Sequence, residues 1–203
     1  MRRTRQEGRT LVFFDPNVRI GFGFSATAER DRIERQLALA HVIKASEDDI
    51  ALLYPGRDYR EIAAQWQETM SGLVAVTLGP AGVYALAPDG SDMYVDAAPA
   101  EVVDTVGAGD AFAATMLDGL AAEAPEAPGV RGVARGPGVA AALRGTGADD
   151  LRGLLERASV SAALTCERAG AQSPDARTLD AAMARQSPRA LRAQHREIGL
   201  EPA

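Results

Sequence analysis

Residues Val102–Phe112 read VVDTVGAGDAF. An apolar run stops at Asp104-Thr105, and Gly107-Ala108-Gly109 then passes into Asp110 and a helical pattern expected over Ala108–Ala122. The first turn of a helix leaves backbone N–H groups without intrahelical partners. Together with the positive end of the helix dipole, those donors form a seat for an anion, typically a phosphate. Gly107 and Gly109 let the backbone approach such a ligand closely. Asp110 needs a separate reason to stand there, because a carboxylate repels a phosphate. A general base that takes the proton of an attacking hydroxyl supplies one. The plain structural alternative is a strand-to-helix turn in which an acidic residue favours the helix start.

On the amino-terminal side, Thr10–Phe14 reads as a buried strand ended by the turn Asp15-Pro16-Asn17, with Arg19 on a loop containing Gly21 and Gly23. Asp15 and Asn17 are turn-capping residue types, and polar groups just past the carboxyl end of a strand also lie where open α/β sheets bind ligands. A helix is expected over Glu29–Ala40 and a strand over His41–Ala45. His41, in apolar company, reads as a packed ring rather than a metal ligand. Ser46 is a good N-cap for a short helix whose first turn, Glu47-Asp48-Asp49, complements the dipole. Tyr59–Met70 is a helix with Ile62, Trp66 and Met70 on one stripe. Leu73–Leu78, Val83–Ala87 and Met93–Val95, separated by Gly79–Gly82 and Pro88–Gly90, form a small antiparallel meander.

On the carboxyl-terminal side, Ala124–Gly138 is rich in proline and glycine and reads as a connection. A helix runs from Asp149 to about Arg168, Gly170–Pro174 is a loop, Leu179–Met183 is a short helix, and the chain after Ser187 is polar. One domain is expected over residues 1–186, with 187–203 as a tail.

Bulk properties exclude several classes. Of the 203 residues, 46% are apolar and 25% charged, ordinary globular composition that argues against disorder. A net charge of −6 offers no basic excess with which to neutralise nucleic-acid phosphates. The arginines at positions 2, 3, 5 and 9 lead into a short apolar run too brief for a signal peptide, and no apolar run reaches the roughly 20 residues of a membrane span. The single cysteine, Cys166, rules out an internal disulfide. A cytoplasmic protein with no nucleic-acid or membrane partner is expected.

The string DTVGAGDAF is similar to the second signature of the ribokinase-like (PfkB) carbohydrate kinases. The order strand-DPN-R, strand-KASEDD, strand-VTLGPAG, DTVGAGD-helix and a late alanine-rich helix ending in a GA-x-x-P loop resembles the carboxyl-terminal half of those enzymes, and of fructokinases most of all. The resemblance implies an α/β fold of the Rossmann-like, three-layer ribokinase type: a mainly parallel sheet with helices on both faces, lacking the amino-terminal half and lid. It implies ATP-dependent phosphorylation of a sugar hydroxyl, of fructose or a related sugar, with ATP and magnesium (Mg2+). The turn Gly107, Ala108 and Gly109 falls on the anion hole and Asp110 on the base. Asn17, Arg19, Asp104 and Thr105 fall near the sugar or the transferred phosphate. Lys44, Thr77, Gly79 and Gly82 fall on the nucleotide side, and Cys166, Gly170 and Ala171 on the wall around adenine. Ser46 and Asp49 fall on an N-x-x-E element that acts on magnesium through water, with serine in place of asparagine and aspartate in place of glutamate.

The family's sugar-binding first half is absent from this sequence. That leaves a second reading, a truncated, non-catalytic remnant that binds nucleotide or a partner. It also implies an unpaired strand edge near Leu11–Phe14, so that a homo-oligomer or a complementary polypeptide supplying the missing half is the expected partner.

Overall fold

Alternation along two buried strands sorts the helices onto two faces. Ile43 and Ala45, with Val74 and Val76, pack into one apolar cluster with Ile33, Leu37, Ile50, Ile62, Trp66 and Met70. Val42, with Leu73 and Ala75, packs into another with Phe112, Met116, Leu120, Leu151 and Leu155. Successive strand side chains point to opposite faces, so a sheet buried on both sides reads as a continuous apolar run. The outcome is three layers.

The computed structural model describes residues 11–19, 25–122, 143 and 145–186. The basic amino-terminal start, the loop glycines 21 and 23, the connection at 124–138 and the tail at 187–203 lie outside the described residues. The strands are β1 (Phe13–Phe14), β2 (Val42–Ser46), β3 (Leu73–Thr77), β4 (Val83–Leu86) and β5 (Asp92–Val95). The helices are α1 (Ala26–Leu37), α2 (Glu47–Leu53), α3 (Tyr59–Met70), α4 (Ala108–Ala122), α5 (Ala148–Cys166) and α6 (Ala176–Gln186). The first face carries α1, α2 and α3, the second α4 and α5. Helix α6 packs on α5 through Val160, Leu179 and Ala182. No helix among the described residues is long and apolar enough to cross a membrane.

The sheet runs β1-β2-β3-β4-β5. β1 pairs parallel with β2, and β2 parallel with β3. β4 pairs antiparallel with both β3 and β5. The sheet is therefore mixed rather than mainly parallel. Helices supply the long crossovers that parallel neighbours require, whereas β3 to β4 and β4 to β5 are joined by tight turns that permit only antiparallel pairing. Glycine makes the first turn possible: Gly79 has φ 56° and Gly82 φ 99°, and Leu78 N–H donates to the Gly82 carbonyl at 2.8 Å.

Several boundaries differ from the sequence reading for local reasons. Helix α1 begins at Ala26, not Glu29, because Ser25 Oγ accepts the Ala28 N–H as an N-cap. Helix α6 begins at Ala176, where Asp175 accepts the Thr178 N–H at 2.7 Å. Strand β1 shrinks to two residues because Val12 stops pairing regularly: its carbonyl accepts from both His41 and Val42, and its N–H donates to His41 Nδ1 at 3.0 Å. His41 is thus a packed ring with a structural hydrogen bond.

Candidate functional site at the glycine turn

Helix α4 starts where the sequence expected it. Ala108 N–H donates to the Thr105 carbonyl and Ala111 N–H to that of Gly107. Between them, the N–H groups of Gly109 and Asp110 meet no acceptor among the described residues. Two adjacent open donors at a helix start suit an anion. Asp110, the third residue of α4, is exposed. Gly107 has φ 83°, and a β-carbon on it would lie 2.7 Å from Ala171 Cβ. Glycine is needed here both for backbone conformation and for space.

Lys44 shares the face of β2 that carries Val42, so it projects toward α4. Its ammonium is buried, lies 3.0 Å from Asp15 Oδ2, and stands 3.1 Å from where a β-carbon on Gly109 would be. Asp15 Oδ1 accepts the Asn17 N–H at 3.1 Å, so the turn-capping role expected of Asp15 is present beside the ion pair. A buried cation near the positive end of a helix is tolerated because a carboxylate sits against it.

A second group of contacts joins the glycine turn to the end of α5. Asp104 Oδ1 accepts the Val106 N–H at 3.0 Å and Oδ2 the Gly170 N–H at 2.8 Å. These two donors, Val106 first, hold the Asp104 carboxyl below the usual carboxylate range. Val103 and Asp104 N–H groups both donate to the Cys166 carbonyl. Burial, with the Asp104 charge behind it, pushes the Cys166 thiol up. The structure thus brings together Asp104, Gly107, Cys166, Gly170 and Ala171.

The other candidates lie around this nucleus. Ser46 and Asp49 form a reciprocal capping box at the start of α2. Thr77 stands opposite Ser46 in register, and its hydroxyl reaches the Ala45 carbonyl at 3.4 Å. Gly82 packs against Val95 on β5, where a β-carbon would collide with the Val95 carbonyl, so Gly79 and Gly82 serve the β3–β4 turn. Asn17, Arg19 and Thr105 are exposed, and Arg19 donates to the Val18 carbonyl at 3.0 Å. Val102, Val103 and Val106 present apolar side chains beside the turn, at 64%, 64% and 59% exposure. An open depression on the other helical face, lined by Arg30, Glu34, Tyr54 and Arg57, includes none of the candidate site residues. No group of three or more His, Cys, Asp or Glu among the described residues is placed to hold a metal ion.

Asp15 as the partner of Lys44, and Asp104 as a brace, were missed from sequence. The first depends on the parallel register of β1 with β2, which sets Asp15, just past β1, beside Lys44 in the middle of β2.

The chain matches the pfkB family carbohydrate kinase over residues 1–178. It is 43% identical over 115 residues to a fructokinase of Klebsiella pneumoniae, covering 55% of this chain and 36% of the relative. It is 33% identical over 116 residues to a fructokinase of Rhizobium leguminosarum bv. trifolii, covering 57% and 35%. A fructokinase of Xylella fastidiosa solved with bound ATP superposes with TM-score 0.72 at 24% identity, over 91% of this chain and 55% of that one. The chain therefore spans about a third of the length of these curated relatives and about half of the solved structure.

Proposed function

The chain belongs to the pfkB family of carbohydrate kinases, and from that premise we propose that it is the nucleotide- and base-bearing part of an ATP-dependent kinase for fructose or a related sugar. The observation that carries this reading is the pair of open N–H groups at Gly109 and Asp110, with the Lys44 ammonium beside them. Phosphoryl transfer asks mainly for positioning and for neutralising charge. In this reading the two N–H groups meet charge developing on the transferred phosphoryl. Lys44, with three donors and one taken by Asp15, offers the others to a phosphate oxygen. Asp110 accepts the proton of the attacking sugar hydroxyl as its oxygen bonds to the γ-phosphorus and the bond to the leaving ADP oxygen breaks. The loop Gly170-Ala171, braced by Asp104, stands on the adenine side.

The family likeness also implies magnesium, whose charge would offset that of the nucleotide phosphates. Among the described residues no cluster of three ligand-type residues is placed to hold a metal ion, so an ion would be held largely by the nucleotide's own phosphates and water. The finer sugar assignment follows the names of the two fructokinase relatives.

A second reading, nucleotide binding without turnover, is favoured by the commitment of Asp104 to two main-chain donors. That leaves Asn17, Arg19 and Thr105 as the remaining candidates near the sugar or the transferred phosphate. A coupled assay of ADP formation from ATP with and without fructose separates the two. Fructose-dependent ADP formation that falls about 10²–10⁴-fold in Asp110→Asn supports the kinase. ATP binding without sugar-dependent turnover supports the second reading.

A further inference from the structure

We infer that Asp49 is the positioning residue of the Asp15–Arg19 loop and stands outside any magnesium shell. The carboxylate is buried, at 6% exposure. Its Oδ1 accepts the Val18 N–H at 2.8 Å, and its Oδ2 accepts the Ser46 N–H at 2.9 Å and the Ser46 hydroxyl at 2.7 Å. Ser46 Oγ in turn accepts the Asp49 N–H at 3.0 Å. An ionised carboxylate has about four acceptor sites, so the chain's own donors take most of them. Magnesium demands a near-octahedral set of oxygens and keeps several waters, and a carboxylate walled in this way leaves no room for such a shell. The Asp49 carboxylate closes the box on Ser46, three residues before it, in the place where glutamate or glutamine is usual.

The other contact of Asp49 gives it a role beyond capping. Val18, 31 positions earlier in the chain, is itself buried, and the next residue, Arg19, is exposed. The loop is thus tied to the β2 end at two points: Asp15 to Lys44, and Val18 to Asp49. Asn17 between them takes φ 40°, in the left-handed region. Arg19 leaves directly from the second anchor, so Asp49 sets where its guanidinium starts. Such a cation, held at the carboxyl end of parallel strands, suits a nucleotide phosphate.

The functional readout rests on the nucleotide reading above, and the experiment keeps the two separable. ATP is titrated calorimetrically into the full chain, with magnesium and with EDTA, for wild type, Asp49→Asn, Arg19→Ala and the double variant. Amide exchange at Val18 is followed in parallel. Asp49→Asn is expected to lose Val18 protection and to weaken ATP roughly tenfold, the scale of one charge-assisted hydrogen bond. The ratio of affinities with and without magnesium should stay within about twofold of wild type, and in the Arg19→Ala background the Asp49 effect should shrink to the same limit. Loss of the magnesium enhancement in Asp49→Asn, or an undiminished effect without Arg19, overturns the inference while leaving nucleotide binding intact. A folded wild type that binds no ATP overturns the nucleotide reading instead, and Val18 exchange then decides the clamp alone. Should Asp49→Asn fail to fold, Ser46→Ala keeps the Val18 contact: unchanged magnesium enhancement supports the clamp, and its loss refutes it.

Discussion

Asp104 Oδ2 accepts the Gly170 N–H at 2.8 Å, joining two loops 66 positions apart in the chain. The same carboxylate accepts the Val106 N–H, so one side chain shapes the turn before α4 and fixes it to the loop after α5. The phosphate seat and the adenine wall proposed above are therefore one braced unit.

Asp104→Asn should loosen that brace in a pH-dependent way. The folded carboxyl is held below its usual range, so its contribution is fully present above the unfolded value of about 3.9 and is lost as pH falls through the lower folded value. Melting temperatures of wild type and Asp104→Asn should differ at pH 6 and converge as pH drops below about 4. A difference that does not change with pH would contradict a charged brace.

Lys44→Met removes the cation from a buried pair and strands the Asp15 carboxylate. Breaking a fully buried pair costs about 3–5 kcal/mol. The Asp15 side chain is 21% exposed, so a loss of about 1–3 kcal/mol in denaturant melts is expected. Adding Asp15→Asn should recover part of that loss, because the stranded charge is gone. No recovery in the double variant would show that the pair is not the stabilising unit.

The two turn glycines should respond differently to alanine. Gly107→Ala forces a side chain into φ 83° and against Ala171, and should cost about 2–4 kcal/mol. Gly109 has no positive φ, and its new β-carbon would press only on the Lys44 ammonium at 3.1 Å. That variant should cost under about 1 kcal/mol while weakening ATP binding. Urea melts of both variants check the order, and equal costs would refute it.

Much of the fold was legible in the sequence because local signals agreed with the tertiary outcome. The stripe Ile62, Trp66 and Met70 fixed α3 at Tyr59–Met70, and the glycine turn fixed the start of α4. The apolar runs of β2 and β3 marked strands buried on both faces. The Ser25 cap of α1, four residues before the expected start at Glu29, was not read from the sequence, where only the apolar spacing of Ile33, Leu37 and Ala40 marked the helix. The site was half legible. Gly107, Gly109 and Asp110 are adjacent in sequence and their chemistry is local. The Lys44–Asp15 pair spans 29 positions and exists only through the parallel pairing of β1 with β2. The Asp49–Val18 clamp depends on the same sheet end. Neither could be read from spacing alone.

Calorimetric titration of the chain with magnesium-ATP and with adenosine most directly tests whether the Gly107–Asp110 turn seats a phosphate. The account predicts that ATP binds at least about tenfold more tightly than adenosine, the worth of one or two charge-assisted hydrogen bonds, and that Lys44→Met erases most of that preference. Equal affinity for the two ligands, or no binding of ATP to folded protein at millimolar concentration, would contradict it.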